Sequence, residues 1–156
     1  MDACPEPLVF WRYIASSLDR LIACLDGLDA AQLNWRPPAT GANSLYALAA
    51  HTLGNAEENI LATLGGQIVG REREAEFAAH GTDSAALVAR WSSLRPRLHA
   101  ALHDLPHGSL DREYPHPRRG AIGGREILIV VSRHVAEHLG QAELTLDLLR
   151  AAEPAV

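Results

Sequence analysis

Apolar residues recur at three- and four-residue steps in four separate stretches of the chain, and nowhere do they alternate as they would along a strand. The first stretch carries Trp11, Ile14, Leu18, Leu21, Leu25 and Leu28, with Pro5 and Pro7 before it and Gly27 near its end. Asp29 is placed to cap a short extra turn that Pro37-Pro38 stops. The second begins at Ser44, a plain N-cap residue, runs Leu45, Leu48, Ala49, Leu53, Ala56 and Ile60, and closes at Gly65-Gly66. The third opens at Thr82-Asp83 and continues through Leu87, Trp91, Leu94, Leu98 and Leu102. Pro96 is expected to kink it, or to split it near Ser92-Ser93. A loop of about 20 residues, 106–124, precedes a fourth helix over 125–150, and loops of that length are often functional. The pattern predicts an all-α fold: one domain over residues 1–156, built as a four-helix bundle with a long loop between helices 3 and 4.

Polar residues interrupt that pattern in one place. On a helical wheel the fourth stretch places Ile127, Leu128, Val131, Val135, Ala142, Leu146 and Leu149 on one arc. His134 and His138 fall inside this arc, with Gln141 and Thr145 beside them, while Glu137 points away. Polar side chains on a core seam mark function or a satisfied polar network. Residues four apart on a helix stand about 5–6 Å apart at Cβ, so two imidazoles there can converge on one ion. A firm site needs a third ligand, and His51 on the second helix is the candidate, although the wheel puts it at the edge of its apolar arc, next to Asn55. His80, His99, His103, His107 and His116 lie in loops or near helix ends and read as solvated. The segment His134 to His138 also matches HxxEH, a zinc-protease signature; with Glu137 turned to solvent, the match reads as coincidence.

Composition narrows the function. The formal charge is −5, and the only basic cluster is Arg118-Arg119, so nucleic acid is not expected as a partner. All basic side chains are arginine, which removes Schiff-base chemistry. No apolar run suits a bilayer, and the start of the chain does not read as a secretion signal, so the expected compartment is the cytoplasm. Cys4, in an end segment expected to fray, and Cys24, expected on the first helix, read as reduced thiols and not as nucleophiles.

Two motifs together, Leu45-Tyr46-Ala47-Leu48-Ala49-Ala50-His51 and the His134–Gln141 stretch HVAEHLGQ, make the chain similar to the DinB/YfiT-like family over nearly its whole length. The segment Trp35-Arg36-Pro37-Pro38 also looks like the connection that family uses after its first helix. The resemblance implies an up-down-down-up bundle, a divalent metal (zinc or nickel) on His51, His134 and His138, and a homodimer. It further implies chemistry of the thiol-dependent transferase or isomerase kind, with a low-molecular-weight thiol such as bacillithiol, mycothiol or glutathione as cosubstrate.

Three histidines leave a tetrahedral ion one open position, as catalytic sites do. The expectation is a small-molecule enzyme of thiol-dependent S-transferase type. Its alternatives are a metal-dependent hydrolase and a non-catalytic metal-binding or dimer-forming module whose fourth ligand is Gln141 or Asn55. Arg118, Arg119 and Arg125, in or beside the long loop, are candidates to bind a substrate carboxylate, with Asn55 and Gln141 nearby. Leu8, Phe10 and Trp11 crowd the start of the first helix and suggest the surface of a dimer.

Overall fold

The computed structural model describes residues 6–152. Cys4 lies outside them. The fold is predominantly helical, with one small two-stranded sheet. Its long elements are α1 (Glu6–Ala23), α3 (Leu45–Glu57), α5 (Ala85–His103) and α6 (Gly124–Ala152). Between them come two one-turn helices, α2 (Ala30–Asn34) and α4 (Arg73–Phe77), and the hairpin β1 (Glu113–His116) and β2 (Gly120–Gly123). Helix α1 packs on α5 and α6, and α3 packs on α6 and α5. One continuous core results, in which Ile14, Leu18, Leu21, Leu53, Leu98, Leu128 and Val131 are almost wholly removed from water.

The caps follow the sequence closely. Asp29 accepts a hydrogen bond from the Gln32 backbone N–H, and the Gln32 side-chain oxygen accepts one from the Asp29 backbone N–H, a complete capping box at α2. Ser44 accepts from the backbone of Ala47 and starts α3. Gly27 adopts a left-handed backbone angle in the turn after α1, where a side chain would be strained, and Gly66 does so after the helical stretch that continues from α3. Cys24 sits in the turn after α1 and is buried, and its burial raises the thiol's pKa.

Three expectations are corrected. Of the two outcomes expected at Pro96, the split near Ser92-Ser93 does not occur: α5 continues past Pro96. Pro96 lies on the exposed face, where water can satisfy the carbonyl that proline leaves without a donor. The segment 106–124 is not an open loop. It holds a 3₁₀ turn, Ser109–Asp111, and the antiparallel hairpin, with Tyr114 opposite Ile122 and His116 opposite Gly120. The Tyr114 hydroxyl donates to the Ser109 carbonyl, and the Gly124 N–H donates to the Arg112 carbonyl, which ties the hairpin to the start of α6. Finally, Trp11 does not add to an outer apolar patch. It is buried beside Trp91, with ring centroids 6.4 Å apart, and Leu8 and Phe10 pack partly against the same core. No described helix is long and apolar enough to cross a membrane.

The sequence pattern also did not anticipate how α3 ends. It runs on as a π-helical segment, Glu58–Leu64, closed by the Gly65 N–H on the carbonyl of Ile60. Segments of this kind occur often at functional sites. This one packs against α5, α6 and β1.

Candidate metal centre

His51 lies in the middle of α3, a helix buried on every side from Leu45 to Ala56. His134 and His138 lie one turn apart on the face of α6 that meets it. Each of the three residues offers a ring nitrogen, and these nitrogens lie within 4.8 Å of one another. The ring centroids are 5.1 Å apart from His51 to either partner and 4.3 Å apart between His134 and His138. Phe77 of α4 stacks on His51 at 4.2 Å and covers it from outside.

The far sides of the rings set which nitrogen faces inward. Nδ1 of His51 lies 3.0 Å from Oε2 of Glu76. Burial by itself would raise the Glu76 pKa, but hydrogen bonds from His51 and Arg71 outweigh it and hold the carboxyl below the usual range. The ionised carboxylate only accepts, so Nδ1–H of His51 donates and its Nε2 keeps a free lone pair. His138 does the same through Nδ1–H to Oε1 of Gln141, 2.7 Å away. Nε2 of His134 is buried with no hydrogen-bond partner. An orphaned polar atom of this kind costs about 1–3 kcal/mol unless something binds it.

Electrostatics favour the neutral, metal-ligating form. Burial, then the neighbouring His138 and His51, push the pKa of His134 down to about 3. Burial also lowers that of His138, with the Gln141 hydrogen bond opposing. A tri-histidine set with one orphaned nitrogen and two hydrogen-bonded rings fits a divalent cation.

Behind the histidines runs a buried ionic chain that the sequence pattern did not reveal. Arg71, with only 5% of its side chain exposed, donates from Nε and Nη2 to Glu76 at 2.9 and 2.8 Å. Its Nη1 donates to Glu58 at 2.8 Å, and Arg118 also pairs with Glu58. Glu58 faces inward from the π segment. Gly54 lets Glu76 approach: a Cβ at that position would lie 1.8 Å from Glu76 Oε1.

His116 departs from the expected solvated reading. It is buried and not solvated: its Nδ1 accepts from the Arg118 backbone N–H, and its Nε2 lies 3.2 Å from Oδ1 of Asn59. Burial lowers its pKa, so the ring is neutral and bridges the hairpin to the π segment. His99 and His103 are exposed, their rings stacked with centroids 6.1 Å apart, and they are not part of the three-histidine cluster.

Of the other site candidates, Asn55, Arg118 and Arg119 line a cleft that also contains His51 and His134. Gln141 lines a second, larger cleft at the same histidines, and Glu137 stands exposed at its rim. Arg125 is not brought there. Its guanidinium pairs with Glu6 at 2.7 Å and Asp111 at 2.9 Å, at the foot of α1.

The fold has solved relatives. A conserved protein from Enterococcus faecalis superposes with a TM-score of 0.76 at 14% identity, covering 96% of this chain and 99% of that one. A DinB-like protein from Bacillus cereus ATCC 10987 gives 0.70 at 20% identity, over 96% and 95%. A mycothiol-dependent maleylpyruvate isomerase, crystallised as a mutant, gives 0.65 at 19% identity; the match covers 86% of this chain but 60% of that protein. Among curated proteins none matches. The model of the DinB superfamily matches residues 13–142, and the chain belongs to that superfamily.

Proposed function

We propose that this protein is a metal-dependent small-molecule enzyme in which His51, His134 and His138 hold one divalent cation, zinc or nickel, and that its reaction is a thiol-dependent S-transfer. The observation that carries the reading is the convergence of three imidazoles, one of them with an orphaned buried nitrogen. In keeping with it, one relative of the same fold is a mycothiol-dependent maleylpyruvate isomerase. A cation bound there would lower the pKa of a thiol and hold it as the thiolate.

The chain's own residues prepare the place for it. Glu76 and Gln141 orient two of the rings through their Nδ1 atoms, so ligand geometry does not depend on side-chain entropy at the moment of binding. Arg71 holds Glu76 ionised, and Phe77 shields His51 from water. Cys24 plays no part: it is buried in the turn after α1, with its pKa raised.

The four long helices are read as an up-down-down-up bundle forming one domain, and the protein as a cytoplasmic homodimer. Val9 and Tyr13 of α1 are the exposed apolar residues available for that contact. Sedimentation at micromolar concentration giving only a 16.9 kDa species would remove the dimer.

The non-catalytic alternative, a coordinatively filled ion, keeps one supporting observation. Asn55 Oδ1 is buried and unpartnered in the cleft beside His51. Gln141 is less suited to that role, because its Oε1 already accepts from His138. Turnover of electrophiles with and without added thiol, alongside a panel of esters, separates the readings. Thiol-dependent turnover abolished by His138→Ala supports S-transfer; ester hydrolysis without thiol replaces it with the hydrolase; neither leaves the structural ion.

A further inference from the structure

The three histidines stand between two clefts of opposite character. One, of about 160 Å³, is lined by Arg73, Arg118, Arg119 and Arg133 and by no carboxylate among the described residues. The other, of about 560 Å³, has an apolar wall that includes Leu48, Phe77, Leu144 and Leu148. His51, Arg73 and His134 border both.

The charge in the smaller cleft is not the general character of a chain with net charge −5. Arg118 is balanced by Glu58, and Arg73 by Glu74. Arg119 and Arg133 have no ion-pair partner among the described residues and are exposed. The hairpin holds Arg118 and Arg119 there through His116, while Arg133 comes from the turn of α6 that carries His134. Two uncompensated guanidiniums in a confined cleft favour an oxyanion, which their planar forks can bind bidentately. On the other side, Leu144 is 60% exposed and Leu148 43%, large apolar side chains one turn apart that no other described residue covers.

We infer that the site selects a small molecule with a carboxylate at one end and an apolar body at the other. The carboxylate lies against Arg119 and Arg133, the body lies along Leu144 and Leu148, and the histidines stand at the junction. This deepens the proposed function, on which it rests for the identity of the reacting centre. The carboxylate can belong either to the thiol or to its electrophilic acceptor.

Calorimetric titration of the full-length protein with straight-chain alkanoates, before and after chelation, tests it. Affinity should rise about two- to fourfold per added methylene, the range set by partial burial of each CH₂. Arg119→Ala/Arg133→Ala should weaken binding at least tenfold, and both positions are exposed, so folding should survive. Leu148→Asn should flatten the chain-length dependence. The arginine-dependent part should persist after chelation, which keeps this inference distinct from the metal reading. Comparing 3-mercaptopropionate with propionate tells the sources apart: a metal-dependent gain for the mercapto acid assigns the carboxylate to the thiol, and equal affinity assigns it to the acceptor. Binding unchanged in the arginine double variant, or inorganic phosphate competing as well as octanoate does, would overturn the inference.

Discussion

Glu76 reaches from the one-turn helix α4 to accept the Nδ1–H of His51 at 3.0 Å, and it is itself gripped by Arg71. Carboxylate, imidazole and inward-facing Nε2 thus form a line whose far end is the candidate metal position. Removing such an outer partner commonly costs 10–100-fold in metal affinity. Glu76→Gln should therefore weaken metal binding by about that factor while His51 itself remains in place, as read by competition with a chromophoric chelator. Unchanged affinity would mean that Glu76 is only part of the packing.

Gly54 makes the same point from the opposite side. A methyl there would overlap the Glu76 carboxylate, at 1.8 Å from Oε1 and 2.7 Å from Cδ. Helix propensity alone would favour alanine by about 1 kcal/mol. Displacing a buried, hydrogen-bonded carboxylate costs about 1–3 kcal/mol, or more for a charged group. Gly54→Ala should consequently lower both thermal stability and metal affinity. A more stable variant with full affinity would show that Glu76 has room to move.

Acid should loosen the ionic chain. Burial would raise the pKa of Glu58, but hydrogen bonds from Arg118 and Arg71 hold it below the unfolded value of 4.5. A carboxyl depressed in the folded state contributes stability that is fully present above its unfolded pKa and is lost as pH falls through the folded one. In metal-free protein, stability should already fall below about pH 6.5, where the unfolded chain protonates His116, His134 and His138 while burial keeps them neutral in the fold. Urea unfolding should show a further fall below about pH 4.5 from Glu58, and Glu58→Gln should lose part of that second fall only. Identical acid profiles for both proteins would remove Glu58 from the account.

His116 fastens the hairpin to the π segment through Asn59 and the Arg118 backbone. His116→Ala leaves the buried Asn59 Oδ1 without its partner, at a cost of about 1–3 kcal/mol, and frees the Arg118 N–H. Hydrogen exchange should then accelerate over residues 113–123 while α1 and α5 stay protected. Uniform protection would show that the hairpin is held by Tyr114 and Ile122 alone.

The helices and caps were legible because they depend on short-range signals: heptad-like spacing, Ser44, Asp29 and paired glycines. His134 and His138 were legible as polar residues on an apolar arc. His51 was harder, because α3 is buried all round and so has no polar face to define an arc. The hairpin was hidden by strands of four residues, one containing Pro115 and the other bounded by glycines, too short for alternation to show. No spacing or motif marks Glu58, Arg71 or Glu76 in the sequence; the fold buries them together where the π segment meets the start of α4. Arg125 sits close in sequence to the arginines of the hairpin, yet the start of α6 directs it to Glu6.

The central claim is that His51, His134 and His138 hold one divalent ion. Elemental analysis of protein purified without a histidine tag, compared with His134→Ala, His138→Ala and the outlying control His99→Ala, tests it most directly. The account predicts close to one zinc or nickel per chain in the parent and in His99→Ala, and almost none in the two site variants, since two ligands make a weak site. A parent protein with no bound metal even after incubation with either ion, or a His134→Ala variant that keeps its full complement, would contradict it.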